Sequence, residues 1–464
     1  MSNGHTGFSD IRAGVDAAKG SLYPGVNAPD APRTAGFARL GLPDRKKRTG
    51  TFMRTALIIL GIACSAGGLA AGENWPQFRG PHGAGIAEAT GLPVHWDENE
   101  NVRWKTAIHG KGWSSPVVWG NQVWLTTATP DGHQMFAVCV DRATGKILHD
   151  IQVFAVAQPA FCHPFNSYAS PTPAIETGRV YVHFGTYGTA CLDTTTGKIL
   201  WTRQDFPCDH FRGPGSSPVL FEDLLFVNFD GVDQQYVVAL DKTTGKTVWK
   251  KDRRIDYGTD NPDQKKAYGT PVVLEIGGKP QLISPSAGAT IAYEPRTGAE
   301  IWRVRQGGMN VAAPPLYGFG RLFLSTGNGG FGFFALRPEG HGDLTSQVDW
   351  KLPKGAPSRC APLLVDDLIY MVNEGGVATC LEARTGHMVW QKRLGGQFSA
   401  SPVFAGGHLY FCSQEGAIHV LAPGRVAKEV AVNHLEDGFM ASPAVADNAL
   451  FLRTKTHLYR IQQQ

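Results

Sequence analysis

A repeat constrains this chain more than any other feature. The segment Ala239-Leu240-Asp241-Lys242-Thr243-Thr244-Gly245-Lys246-Thr247-Val248-Trp249 recurs in degenerate form eight times between residues 115 and 464. Each copy opens with a small residue and proline ahead of an apolar run: Ser115-Pro116, Thr172-Pro173, Ser217-Pro218, Thr270-Pro271, Pro314-Pro315, Ala361-Pro362, Ser401-Pro402 and Ser442-Pro443. Proline at the first residue of a strand removes no ladder hydrogen bond, so these are eight strand starts. Short apolar runs and tight turns at a spacing of about 40 to 57 residues exclude a helical array and predict the blades of a β-propeller. The fold expected is therefore all-β, an eight-bladed propeller of four-stranded antiparallel blades.

Within a copy, a second strand such as Val180-Tyr181-Val182 follows a polar turn. A third carries pairs such as Leu192-Asp193, and a Thr-Gly hairpin leads to a tryptophan, as in Asp193, Gly197 and Trp201. The glycine supplies a positive-φ turn, and the indole packs between neighbouring blades. His149 replaces the tryptophan in the first copy and Val430 in the seventh, and the fifth copy stretches its turn from Pro338 to Gln347. The last copy stops at Tyr459-Arg460-Ile461 with three strands, whereas Val102-Arg103-Trp104-Lys105 reads as a fourth strand without its first three. Pairing the two would close the ring and hide both open edges.

Charge and leader bound the function. Net charge is +4, but residues 1–54 alone carry nine Lys or Arg against four Asp or Glu, so the remainder sums to about −1 and the ring itself is close to neutral. A near-neutral ring has no net drive toward nucleic acid. From Arg54 to Gly72 a short apolar core ends in small residues, which is too short for a span and suits a cleaved secretory signal ending near Ala70 to Gly72. The expected division is residues 1–52 as a disordered or surplus N-terminal extension ahead of a start at Met53, 53–72 as signal peptide, and 73–464 as propeller. The mature chain is expected to be periplasmic or secreted, monomeric and without a membrane span.

A ligand site belongs on the loops that lead into the first strands or join second to third strands, because the Thr-Gly turns lie on the other face. The blade 2 approach loop holds Phe161-Cys162-His163-Pro164-Phe165-Asn166-Ser167-Tyr168, and that of blade 3 holds Cys208-Asp209-His210-Phe211-Arg212. Cys162, His163, Cys208 and His210 could form a thiolate and imidazole metal site. Cys162 and Cys208 could instead form a disulfide between adjacent blades, or the residues could be unrelated. Arg212, Asp230, Asp233 and Tyr168 are candidates for rim binding, and Arg359, Asn373 and Glu374 offer an anion fork and oxygen donors. Each of these also reads as an ordinary polar turn residue.

The Leu-Asp-x-x-Thr-Gly-Lys-x-x-Trp lines resemble the repeats of the pyrroloquinoline quinone-like propellers, which include quinoprotein alcohol dehydrogenases and the propeller subunit of outer-membrane protein assembly. Asn74-Trp75-Pro76-Gln77-Phe78-Arg79-Gly80-Pro81 is similar to the opening of exported bacterial propellers of this type. For the enzymes, the resemblance implies a quinone and calcium. Ser325-Thr326-Gly327-Asn328 is similar to the segment presenting their calcium-ligating asparagine, so Asn328, Arg359, Asn373 and Glu374 are the positions expected to bind PQQ and calcium. The adjacent cysteine pair of those enzymes is missing. The reading that follows is a non-catalytic binding or scaffold propeller for an envelope protein or extracellular polymer, with a PQQ- and calcium-dependent dehydrogenase as the alternative.

Overall fold

The computed structural model describes residues 74–464. The extension 1–52 and the leader 53–72 lie outside the described residues. Eight sheets form the ring, each built on four antiparallel strands in which successive strands are neighbours. In blade 3, for example, Val219–Phe221, Leu224–Asp230, Gln235–Asp241 and Thr247–Asp252 run from the channel outward. The eighth blade combines Ala444–Ala446, Ala449–Arg453 and His457–Ile461 with Val102–Ala107, which pairs antiparallel through Trp104 and Arg460. Closure by the N-terminal strand is thus as the sequence indicated.

The turn chemistry explains the repeat. In blade 3 the Asp241 carboxylate accepts hydrogen bonds from the Thr244 N–H (2.7 Å) and hydroxyl (2.8 Å), and Gly245 follows at a φ of 71°. A Cβ on Gly245 would lie 2.7 Å from the Trp201 ring, so the preceding blade's indole rests on this glycine. Trp201 also donates its indole N–H to the Lys242 carbonyl (3.0 Å). The same stack joins Trp104 to Gly145, Trp249 to Gly298 and Trp350 to Gly386. Aromatic burial on a bare backbone surface therefore fixes the spacing between blades. The long turn of blade 5 fits the same logic, because its Gly342–Asp343 adds a parallel fifth strand to the outer edge of blade 4 beside Trp302.

Hydroxyls join the first strands around the channel. The N–H of Ser115 donates to Thr172 Oγ1, Thr172 to Ser217, and Ser217 to Thr270. Ala361 donates to Ser401, Ser401 to Ser442, and Ser442 back to Ser115, all at 2.9 to 3.0 Å. The ring breaks on both sides of blade 5, where Pro314 has neither a hydroxyl nor an N–H.

The segment from Trp75 to Ala87 crosses the channel and plugs it. Trp75 bridges Val118 of blade 1, and the Pro76 carbonyl accepts from Ile175 of blade 2. The fully buried Arg79 guanidinium donates to the carbonyls of Pro362 (2.7 Å) and Pro402 (3.0 Å), on blades 6 and 7. Ile86–Ala87 then adds as a parallel strand beside Phe404. Gly80 is required in this crossing, because its φ is 70° and a Cβ would meet the Trp75 ring at 2.5 Å. Burial without a carboxylate partner pushes the Arg79 guanidinium down to about 9.

Candidate functional site

The approach loops converge at one end of the channel around a cavity of about 480 Å³. Hydroxyls of Ser115, Thr172, Ser217, Thr270, Ser401 and Ser442 line its wall, and Phe78 of the plug contributes its floor. Trp113, Phe165, Tyr268 and Met440 supply apolar surface, and the ionisable side chains of the lining, besides Tyr268, are Arg212, Arg359 and His163. No Asp or Glu is among the lining residues. The site is therefore concave, partly aromatic and positive.

Its loops are held by specific bonds. Lys111 Nζ donates to the Pro164 carbonyl (2.7 Å) and the Trp113 indole to the Phe165 carbonyl (3.0 Å), which fixes the blade 2 loop over the mouth. Asn166 Nδ2 donates to the carbonyls of Arg212 (2.9 Å) and Pro214 (3.1 Å), tying that loop to blade 3. Arg359 comes from blade 6, diametrically opposite blade 2 in an eight-fold ring, and its guanidinium lies 4.6 Å from the centre of the Phe165 ring. A cation-π strut thus spans the mouth. The Nε atoms of Arg212 and Arg359 are buried without a hydrogen-bond partner, as are Asn310 Oδ1 and the Tyr268 hydroxyl. The terminal nitrogen of Arg212 is 3.9 Å from Asp263, a weak contact because Asp263 is already paired with Lys266.

The positions expected to hold calcium and quinone separate into two groups. Arg359 and Asn328 line the cavity, Asn328 through a main-chain bridge to Met309 (2.8 and 3.0 Å). Glu374 and Asn373 do not line it and serve the backbone. Glu374 Oε1 accepts from the N–H groups of Ser358 and Arg359 (both 2.8 Å) and from the Ser358 hydroxyl (2.7 Å). Asn373 Oδ1 accepts from Gly375 (3.1 Å) and Val377 (3.0 Å). Calcium requires several oxygen ligands with carboxylates among them, and a cavity presenting two arginines and no carboxylate does not fit it. The residues here do not fit a quinone held through calcium.

Nor are the cysteine and histidine candidates brought together as one ligand set; among the described residues no group of three or more His, Cys, Asp and Glu side chains is placed to hold a metal. Both Cys162 and Cys208 are free thiols. The Cys162 sulfur contacts the Arg212 carbonyl at 3.7 Å, and burial pushes this thiol up to about 11. Cys208 lies 3.8 Å from His210 Nδ1, and its thiol is also raised by burial. His210 is pushed down to about 4 by burial and packs on Phe229. His163 accepts the Phe165 N–H (3.1 Å) and lines the cavity.

Of the rim candidates, Arg212 lines the cavity. Tyr168 instead donates to the Ala160 carbonyl (2.9 Å) and packs on Tyr187, and Asp233 accepts from the N–H groups of Asp209 and Gln234 (both 2.8 Å). Asp230, in contrast, does not reach the rim. The second strand of blade 3 runs on to this residue, which is 2 % exposed and forms a bidentate pair with buried Arg253, with a further bond from Ser286 (2.8 Å). Burial raises its carboxyl and the guanidinium opposes that shift. Phe78, Trp113, Phe165, Tyr268 and Asn310 were not singled out in the sequence as site residues. The proline-preceding hydroxyls were visible as a column and could have been recognised as the channel wall.

A family model described as outer membrane protein assembly factor BamB matches residues 94–275 and 233–464. The Legionella pneumophila protein of that name is 26 % identical over 209 residues, covering 45 % of this chain and 50 % of its own. A quinoprotein ethanol dehydrogenase of Pseudomonas aeruginosa is 34 % identical over 143 residues, covering 28 % of this chain and 21 % of its own. This chain thus spans half or less of the length of these curated relatives. Among solved structures, a europium-containing methanol dehydrogenase superposes with a TM-score of 0.61 at 12 % identity, covering 83 % of this chain and 90 % of that one. BamB from Moraxella catarrhalis superposes with a TM-score of 0.55 at 13 % identity, covering 78 % and 98 %. Those superpositions carry the fold alone, whereas the sequence match over most of the ring places this chain in the PQQ-like β-propeller family described as outer membrane protein assembly factor BamB.

Proposed function

We propose that this chain is an exported, non-catalytic propeller that binds an envelope protein or extracellular polymer at the funnel formed by its approach loops. The observation that carries the reading is the funnel's composition. Its charged fork is cationic, its carboxylate neighbour Glu374 is engaged by three donors, and its lining presents no carboxylate to a dication. Family relatives named as assembly factors favour binding, while others named as dehydrogenases keep an oxidative reading in view. The leader near Ala70 supports export, and among the described residues no helix is long and apolar enough to cross a membrane.

Two measurements test this. The mature chain, immobilised and exposed to envelope extract of its own source cell, retains a partner that a blade-matched control propeller does not. Mixed with PQQ and calcium, it develops no bound-quinone absorbance band and no dye-reducing activity toward alcohols or sugars. A bound band with dye reduction, or failure to retain any partner, refutes the proposal.

A further inference from the structure

Beside the funnel is a second, smaller depression of about 400 Å³ lined by Ala160, Phe161, Tyr187, His210, Phe211 and Pro214. Pro214 lines both cavities. Phe161 and Phe211, whose ring centres are 6.1 Å apart, are 60 % and 43 % exposed, and Phe165 at the funnel mouth is 38 % exposed. Three exposed phenylalanines on two adjoining loops are unusual in a ring that otherwise packs its aromatic rings inside, and such side chains anchor protein interfaces. The one carboxylate in the smaller depression, Asp209, accepts the Phe211 N–H (2.8 Å) and holds the loop.

Resting on the binding reading above, we propose that the two cavities form one docking site for an acidic polypeptide segment. A carboxylate enters the funnel between Arg212 and Arg359, and a neighbouring apolar side chain lies on Phe161 and Phe211. The geometry gives each part a reason. The Arg359 guanidinium is parked on Phe165, a contact weaker than a charge-assisted bidentate bond to a carboxylate, so an entering acid draws the fork off the ring and opens the strut. The unpartnered Nε atoms of Arg212 and Arg359 supply donors that the free protein leaves unused. The rings of Phe161 and Phe211 carry no polar handle, so they suit an apolar side chain. Two subsites meeting at one proline require anionic and apolar groups a residue or two apart on a single chain, which a polypeptide provides.

The test is selection of a randomised dodecapeptide display library on the folded mature protein. Enriched sequences are expected to carry Asp or Glu within about two positions of Phe, Leu, Tyr or Trp. Replacing the acid by its amide in a selected peptide, or making Arg212→Gln or Arg359→Gln, weakens binding about tenfold, as expected for loss of one charge-assisted bond. Phe161→Ala with Phe211→Ala weakens it without removing the preference for acid. Circular dichroism confirms that the variants are folded. Absence of enrichment, enrichment of neutral or basic peptides, or binding indifferent to both arginine substitutions overturns the inference, as does stronger competition by polygalacturonate than by the selected peptides. If the wild type and the Arg212→Gln, Arg359→Gln double variant retain the same envelope partner equally, the inference falls and the binding propeller stands. If neither retains any partner, the binding propeller falls too.

Discussion

Trp104→Ala removes the one indole that closes the ring across the chain's own discontinuity. The side chain is nearly buried, stacks on Gly145 of blade 1, packs 6.1 Å from Phe451 and donates to the Arg142 carbonyl (2.9 Å). Truncating a buried tryptophan to alanine costs about 3–5 kcal/mol in transfer and cavity terms. The usual additional penalty for an orphaned acceptor is absent, because Arg460 Nη1 also donates to the Arg142 carbonyl (2.9 Å). The lower end of that range, about 3 kcal/mol, is the expected loss, and Trp104→Phe should lose about 1 kcal/mol by keeping most of the buried ring area. A large ring need not unfold in two states, so the assay is amide hydrogen exchange together with a urea titration. Protection of the 457–461 strand amides should fall by roughly 100-fold, the equivalent of about 3 kcal/mol, while blade 4 amides hardly change. A uniform fall in protection, or a loss no larger than that of Trp113→Ala, whose indole bonds a carbonyl at the funnel mouth, would refute the assignment of closure to this contact.

Asp230→Ala leaves the Arg253 guanidinium buried and unpaired, so the urea midpoint should fall by the equivalent of about 3–5 kcal/mol, and Arg253→Met in the same chain should restore much of it. Gly245→Ala forces a side chain into a φ of 71° against Trp201, and calorimetry should register about 1–2 kcal/mol or more of destabilisation. Acid sensitivity should arise from His183 and His210, which burial pushes down to about 3 and about 4. His183 is bonded to Thr189 and also depressed by neighbouring His210, while Asp209 and Asp233 partly counter the shift on His210. Because each folded value lies below the unfolded one, the unfolded chain takes up protons first. Stability is therefore full above about pH 6.5 and falls by roughly 1.4 kcal/mol per pH unit per histidine as pH drops toward 4. Urea midpoints between pH 6.5 and 4.5 should show this slope, and it should flatten in the His183→Gln, His210→Gln variant.

The ring was legible because its determinants are local and periodic. A proline fixes each strand start, an acidic residue with a Thr-Gly turn shapes most hairpins, and in several blades a tryptophan rests on the next turn's glycine. Closure through Trp104 was legible by counting strands. The plug was not, since Arg79 bonds carbonyls 283 and 323 residues away and nothing local to Trp75-Pro76-Gln77-Phe78-Arg79 points to them. Asp230 was misread for a related reason. Phe229-Asp230-Gly231 looks like a turn, but its partner Arg253 arrives from the end of the fourth strand and draws the carboxylate inside. Glu374 and Asn373 looked like free oxygen donors because a sequence does not show which backbone N–H groups a side chain will satisfy.

What sets function apart from fold in this ring is departure from the period. Positions that obey the repeat maintain the stack and would do so in an enzyme or a scaffold, which is why superposition on a dehydrogenase and on an assembly factor is similarly good at 12 to 13 % identity. Apart from His149, Val430 and the stretched blade 5 turn, the departures gather at one end of the channel. The blade 2 approach loop folds over the mouth, blade 3 sends in Arg212, blade 6 sends Arg359 across to Phe165, and Pro314 interrupts the hydroxyl ring at blade 5. No packing rule of the blades calls for any of these, and Arg212 and Arg359 leave buried Nε donors unmatched beside a plugged channel, at a cost in desolvation. Under the docking proposal above, an entering carboxylate repays that cost at both arginines.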